Sequence, residues 1–146
     1  MARTNGYHGP MIDMPLSFAK QVYKSEYWDK MLLDQVSNIS SNVAIEMFDT
    51  GVNTGISEAT QILQRSLNVL NLESKIYSDI AVDGMMGQGT LSALQSFVNY
   101  RKTDRVLYKM MNCLQGAFYV DLAEKRIKDE EFIYGWMDKR VSLESN

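Results

Sequence analysis

An all-α fold is what this sequence predicts, and three observations predict it. Apolar residues recur at helical spacing through most of the chain. No segment alternates polar and apolar residues with period two for long enough to make a convincing strand. Ten methionines and only two prolines point to helices around a core with adaptable packing. The 146 residues fit one domain, or one domain with a closely packed subdomain.

The chain is organised around Ser41 to Gly55, SNVAIEMFDTGVNTG. Val43, Ala44, Met47, Phe48, Gly51 and Val52 make one helical face, expected to be buried along Val43, Met47, Phe48 and Val52. Glu46, Asp49 and Asn53 follow at i, i+3 and i+7, a polar stripe beside that seam. The stripe is either the solvated edge of a core helix or one wall of a cleft. Ser41 or Asn42 can cap the start, and Gly51 and Gly55 allow close backbone approach.

Residues 1–14 read as irregular, punctuated by Asn5-Gly6 and Gly9-Pro10. A helix is expected from Pro15, with Phe18, Ala19 and Val22 on one side. Tyr23, Tyr27 and Trp28 then form either an aromatic edge of the core or a platform on which a sugar could stack. Asp34 to Ser40 reads as a connector. Ser57 is expected to cap the next helix, with Ala59, Ile62, Leu63, Leu67 and Leu70 inward. Asn71 to Ala81 is a polar link delivering Asp83, Gly84 and Gly87, a structural turn before a helix opened by Thr90. Leu91, Leu94, Phe97 and Val98 are that helix's inward residues.

Thr103 caps the longest helix, expected to run to about Lys128, with an apolar stripe of Val106, Leu107, Met110, Met111, Leu114, Phe118 and Leu122. A second stripe, Tyr108, Asn112, Gln115 and Tyr119, runs along an adjoining face. Asn112, Gln115 and Tyr119 either line a polar cleft or satisfy one another at a helix crossing, and Gly116 serves close helix packing. A short last helix carries Phe132, Ile133, Trp136 and Met137, and Val141–Asn146 is a frayed tail.

Composition excludes several chemistries. A net charge of −3 gives no general attraction to nucleic acid. One His and one Cys make a structural zinc site and an intrachain disulfide untenable, and no metal or other cofactor is implied. No apolar run reaches the ~20 residues of a membrane span, and MARTNGYHGPM lacks the apolar centre of a signal peptide. The expectation is synthesis in the cytoplasm, with action elsewhere only after release.

Three stretches together resemble the phage and bacterial N-acetylmuramidases of glycoside hydrolase family 108, with their peptidoglycan-binding domain. They are Ala19 to Trp28 (AKQVYKSEYW); Phe48 to Gly55 (FDTGVNTG) with Leu63-Gln64-Arg65-Ser66-Leu67; and Val82-Asp83-Gly84 through Gly87, Thr90, Asn112, Gln115 to Tyr119, Phe132 and Gly135-Trp136. Leu63 to Val98 is also similar to a small three-helix peptidoglycan-binding fold. The resemblance implies a compact helical, lysozyme-like unit: residues 1–56 as the remainder of the muramidase-like region, and 57–146 as the peptidoglycan-binding-like helices packed with it. It further implies an endolysin-type hydrolase acting at the cell wall or periplasm, with peptidoglycan glycan strands as partner.

The family's catalytic acid lies in a Glu-Gly-Gly-Tyr motif that this sequence lacks; its only Gly-Tyr pair, Gly6-Tyr7, follows Asn5. The expectation is therefore a truncated member, inactive or weakly active alone, that needs a missing N-terminal segment or companion chain. Asp49 and Glu46 are the candidate supporting acids, and Asn53, Gln115, Tyr119 and Asn112 the candidate substrate-binding residues. The alternative is a noncatalytic wall-binding or phage structural module that keeps the fold.

Overall fold

The computed structural model describes residues 21–125, 133–135 and 137–138, and no strand occurs among them. After a π-helical turn at Lys24–Trp28 come α1 (Leu33–Ile39), α2 (Ser41–Thr54), α3 (Ile56–Val69), α4 (Gln88–Arg101) and α5 (Arg105–Lys125). Helix α2 packs against α1, α3 and α5, so the stretch around which the sequence is organised is also the centre of the packing. Met31, Val36, Val43, Met47, Leu63, Leu67, Leu94, Phe97, Leu107 and Met111 meet in one buried cluster. Of the expected helix from Pro15, residues 21–23 are helical with Val22 buried, and the part before them, like Phe132, Trp136 and the tail, lies outside the described residues.

The structure corrects several boundaries. Asp34 to Ser40 is no connector: Leu33–Ile39 is helical, and Leu33 and Val36 are buried a turn apart. Seven mostly polar residues carry too few apolar positions for periodicity to reveal them. The cap of α2 is Ser40, whose Oγ accepts from the Val43 amide at 3.1 Å. Ser57 lies inside α3, because Gly55 at φ +107° makes the break between α2 and α3 without a side-chain cap. Helix α4 starts at Gln88, two residues before Thr90, since extended Gly87 serves as its N-cap.

Two faces also differ from expectation. Val43 and Met47 are fully buried, whereas Phe48 and Val52 are half-buried, with Phe48 packed on the rim of the core. Helix α5 is rotated toward its polar stripe, the helix-crossing alternative for those residues: Asn112, Gln115 and Tyr119 are buried, while Val106 of the expected apolar stripe is 53% exposed. The rotation follows from what α5 faces. Across from it stands Thr50, whose hydroxyl can be satisfied only by a polar partner such as Gln115.

The link from Leu70 to Gly87 is held to α3 by a ladder of amide side chains. Asn68 Oδ1 accepts from the Ile80 amide and its Nδ2 donates to the Ile80 carbonyl, both at 2.8 Å. Asn71 Nδ2 donates to Asp79 at 2.6 Å. Gln64 Nε2 donates to Asp83 Oδ1, the Met85 carbonyl and Thr90 Oγ1, while its Oε1 accepts from the Gly84 amide at 3.0 Å. Gln64 and Asn68 stand at i and i+4 on one face of α3 and reach across to the link, while Asn71, just past the helix, ties the link to itself.

Gly84 is the glycine this arrangement requires. Its φ is +75°, and a Cβ there would collide with Ser57 Oγ. Gly87, in contrast, is extended, with open space where its Cβ would be. Gly84→Ala is expected to lower the unfolding free energy by about 2 kcal/mol from left-handed strain alone. An unchanged denaturant midpoint in that variant would show the turn to be softer than its geometry implies.

Candidate functional site

The site grows from the N-terminus of α2. Ser40 Oγ donates to Asp104 Oδ2 at 2.5 Å, and Asn42 Nδ2 reaches the same oxygen at 3.5 Å. Asp104 immediately precedes α5, so this contact ties the starts of α2 and α5 together. Three turns further along α5, Gln115 Nε2 donates to Thr50 Oγ1 at 2.5 Å. These two attachments lay the polar stripe of α5 along the polar stripe of α2.

The stripes meet as a buried seam. Glu46 is only 5% exposed, and Asn112, Gln115 and Tyr119 are buried with it. Asn112 Nδ2 returns to the Tyr108 carbonyl at 3.0 Å. Burial first, and the charge of Asp49 one turn away second, push the Glu46 carboxyl up to about 7. Burial, then the nearby Glu46 carboxyl, holds the Tyr108 phenol above its ordinary value. A carboxyl that keeps its proton near neutrality can donate it.

Asp49 and Asn53 occupy the outer edge of the seam and are exposed. Asn53 Nδ2 donates back to the Asp49 carbonyl at 2.7 Å, a bond that does not use the amide oxygen. Both residues, with Tyr23, Phe48 and Val52, line an open hollow of about 260 Å³. A larger hollow of about 380 Å³ adjoins it across Tyr23 and Phe48, and is completed by Lys24 and Trp28. Phe48 is the hinge of the two, with its ring edge-on to Tyr23 at 6.3 Å and to Trp28 at 5.7 Å. Trp28 Nε1 donates to Asp34 at 2.8 Å, and Lys24 pairs with Asp29 at 2.9 Å, so the aromatic wall is braced from behind.

The candidate residues thus separate by depth. Asp49 and Asn53 reach the groove, Glu46 sits behind Asp49, and Gln115, Asn112 and Tyr119 lie deeper still, at the helix crossing. Asp83, Gly84 and Gly87 belong to the loop before α4 and carry the turn described above. Sequence reasoning missed Thr50, the partner of Gln115, because a threonine within an apolar helix face carries no distinguishing pattern. It also placed Phe48 in the core rather than in the groove wall; the adjacent Tyr23, Tyr27 and Trp28 were the signal. No group of three metal-ligating side chains lies together among the described residues.

Comparison with known families divides the chain at the Gly55 break. Residues 1–55 match the family described as Glycosyl hydrolase 108, and residues 58–141, more than half of the chain, match the family described as Predicted Peptidoglycan domain. No curated protein matches the chain.

Proposed function

The chain belongs to the peptidoglycan-domain family, its first 55 residues matching glycosyl hydrolase 108, and from that premise we propose that it is a peptidoglycan-acting protein of the phage endolysin, N-acetylmuramidase type, acting on glycan strands at the cell wall. The observation that carries this reading is the groove in which an exposed acid and amide, Asp49 and Asn53, adjoin an aromatic wall of Tyr23, Phe48 and Trp28. Aromatic faces suit the apolar faces of sugar rings, and the amide oxygen of Asn53 suits a sugar hydroxyl or N-acetyl N–H. In this proposal residues 1–56 carry the groove, and residues 57–146 hold the wall polymer while bracing α2 from behind.

Glycoside hydrolysis takes two carboxyl groups, one protonated and one ionised, flanking the scissile bond. Glu46 holds its proton to about pH 7 with Asp49 one turn away, which supplies both protonation states. Both stand on α2, however, so the pair approaches a bond from one side only. The proposal is therefore slow cleavage by this chain alone, Asp49 meeting the substrate and Glu46 supporting it, with a companion segment bearing Glu-Gly-Gly-Tyr expected to raise the rate. No helix among the described residues is long and apolar enough to cross a membrane.

Turbidity clearing of purified walls, with identification of the new reducing ends, tests the reading. Muramic acid reducing ends are expected, with a residual rate that falls at least about tenfold in Asp49→Asn. Reducing ends of another sugar would overturn the muramidase assignment. Retention on walls with no new ends would leave a noncatalytic wall-binding module. An unchanged rate in Asp49→Asn would remove that residue from the reaction.

A further inference from the structure

At the end of the bundle where the C-termini of α3 and α4 meet the start of α5, a partly enclosed hollow of about 270 Å³ is lined by Leu70, Phe97, Arg101, Thr103 and Val106. Its floor is the core itself, since Phe97 is buried. Its lip includes Val106, whose spacing assigns it to the core but which is 53% exposed here; the Arg101 guanidinium lies 5.2 Å from the ring centroid of its neighbour Tyr100.

The charge in the lining of the hollow is the Arg101 guanidinium. Arg101 closes no ion pair among the described residues, where the salt bridges are Lys24–Asp29 and Lys30–Glu26. Lys102 and Arg105 flank it on the α4–α5 turn and are exposed. The neighbouring acid, Asp104, is turned away and held by Ser40 and Asn42. Thr103 Oγ accepts from the Arg105 amide at 3.2 Å, which orients the hydroxyl and leaves its hydrogen to donate. In a chain of net charge −3, this end combines a guanidinium, a hydroxyl donor and an apolar floor.

From this juxtaposition we infer that the hollow is a second binding site, remote in sequence from the groove, for the carboxylate-terminated end of a peptidoglycan stem peptide. The terminal carboxylate pairs with Arg101 in the two-pronged geometry a guanidinium offers, and the Thr103 hydroxyl donates to it. The terminal alanine methyl rests against Leu70, Phe97 and Val106. The inference rests on the reading that this chain meets peptidoglycan, and adds that it grips the peptide as well as the glycan. It would also make binding to walls weaken with salt, since the contact is ionic and near the surface.

The test is calorimetric titration of the full chain with the pentapeptide L-Ala-γ-D-Glu-L-Lys-D-Ala-D-Ala, with its C-terminal amide, and with an unrelated acidic pentapeptide. Sedimentation with purified sacculi runs in parallel. The free-acid peptide is expected to bind, and either amidation or Arg101→Gln to weaken it about tenfold or more. The two losses are expected not to add, because both remove one contact. The amide peptide makes the same test on the unaltered chain, so a variant that fails to fold decides nothing against it. No binding of the free acid, equal binding of acid and amide, or equal binding of the unrelated peptide would each overturn the site. Sacculi that sediment the unaltered chain and Arg101→Gln alike would overturn its part in wall binding while leaving the peptidoglycan reading intact. Sacculi that fail to retain the unaltered chain would count against that reading itself, whatever the peptide does.

Discussion

Gln64→Leu is expected to cost about 3 kcal/mol of unfolding free energy, enough to lower the melting temperature by roughly 10 °C. Leucine has nearly the volume of glutamine, so the buried position stays filled and the loss isolates the hydrogen bonds. Four are removed together, to Gly84, Asp83, Met85 and Thr90. The Thr90 hydroxyl is buried, so it loses a donor where water cannot readily replace it. The bond to Asp83 is exposed at its far end and contributes least. That bond, after the one from the Met85 amide, also holds the Asp83 carboxyl below its ordinary value. Hydrogen exchange would localise the effect: amides from Asp79 to Thr90 should lose protection while those of α2 and α5 keep theirs. A denaturation midpoint equal to that of the unaltered chain would show that the link before α4 does not depend on the ladder.

How far the sequence foresees this molecule depends on what each pattern contains. Helical spacing in Ser41 to Gly55 locates the central helix, because a run of that length fixes a face. The same spacing cannot say what a face meets. In α5 it finds two stripes and leaves open whether the polar one lines a cleft or a helix crossing; Gln115 and Asn112 are buried at the crossing, and Val106 of the apolar stripe is not. The deciding residue is Thr50, on another helix and 65 positions away. Leu33–Ile39 escapes notice because two inward residues do not make a period. The amides of Gln64, Asn68 and Asn71 look like an ordinary polar face until the loop they hold is present. At the site, the stripe of Glu46, Asp49 and Asn53 is legible as a stripe. That its first member is buried and its last two exposed is a property of the crossing with α5, which no local pattern encodes.

Glu46→Gln is expected to stabilise the fold at pH 8 and to leave it unchanged at pH 4. In the folded chain the carboxyl is 5% exposed and keeps its proton up to about pH 7, whereas unfolding returns it to its ordinary value of 4.5. Between those pH values the folded state binds more protons than the unfolded state, so stability falls as pH rises through the interval. Below pH 4.5 both states are protonated and the residue makes no pH-dependent difference. Above pH 7 both are ionised and the full penalty stands, roughly 3 kcal/mol at about 1.4 kcal/mol per tenfold change in the acid constant. Glutamine keeps the shape and hydrogen-bonding capacity without the ionisation, so the gain should follow that same window. Asp49 faces Glu46 from its own helix and Tyr108 faces it from α5. Asp49→Asn removes the second cause of the shift and should recover a smaller part of the penalty, because burial is the first. Chemical denaturation of the three proteins at pH 4, 6 and 8 reads all of this directly. A Glu46→Gln variant no more stable than the unaltered chain at pH 8 would mean that the carboxyl reaches water when ionised, and that it offers no proton to the groove at neutral pH.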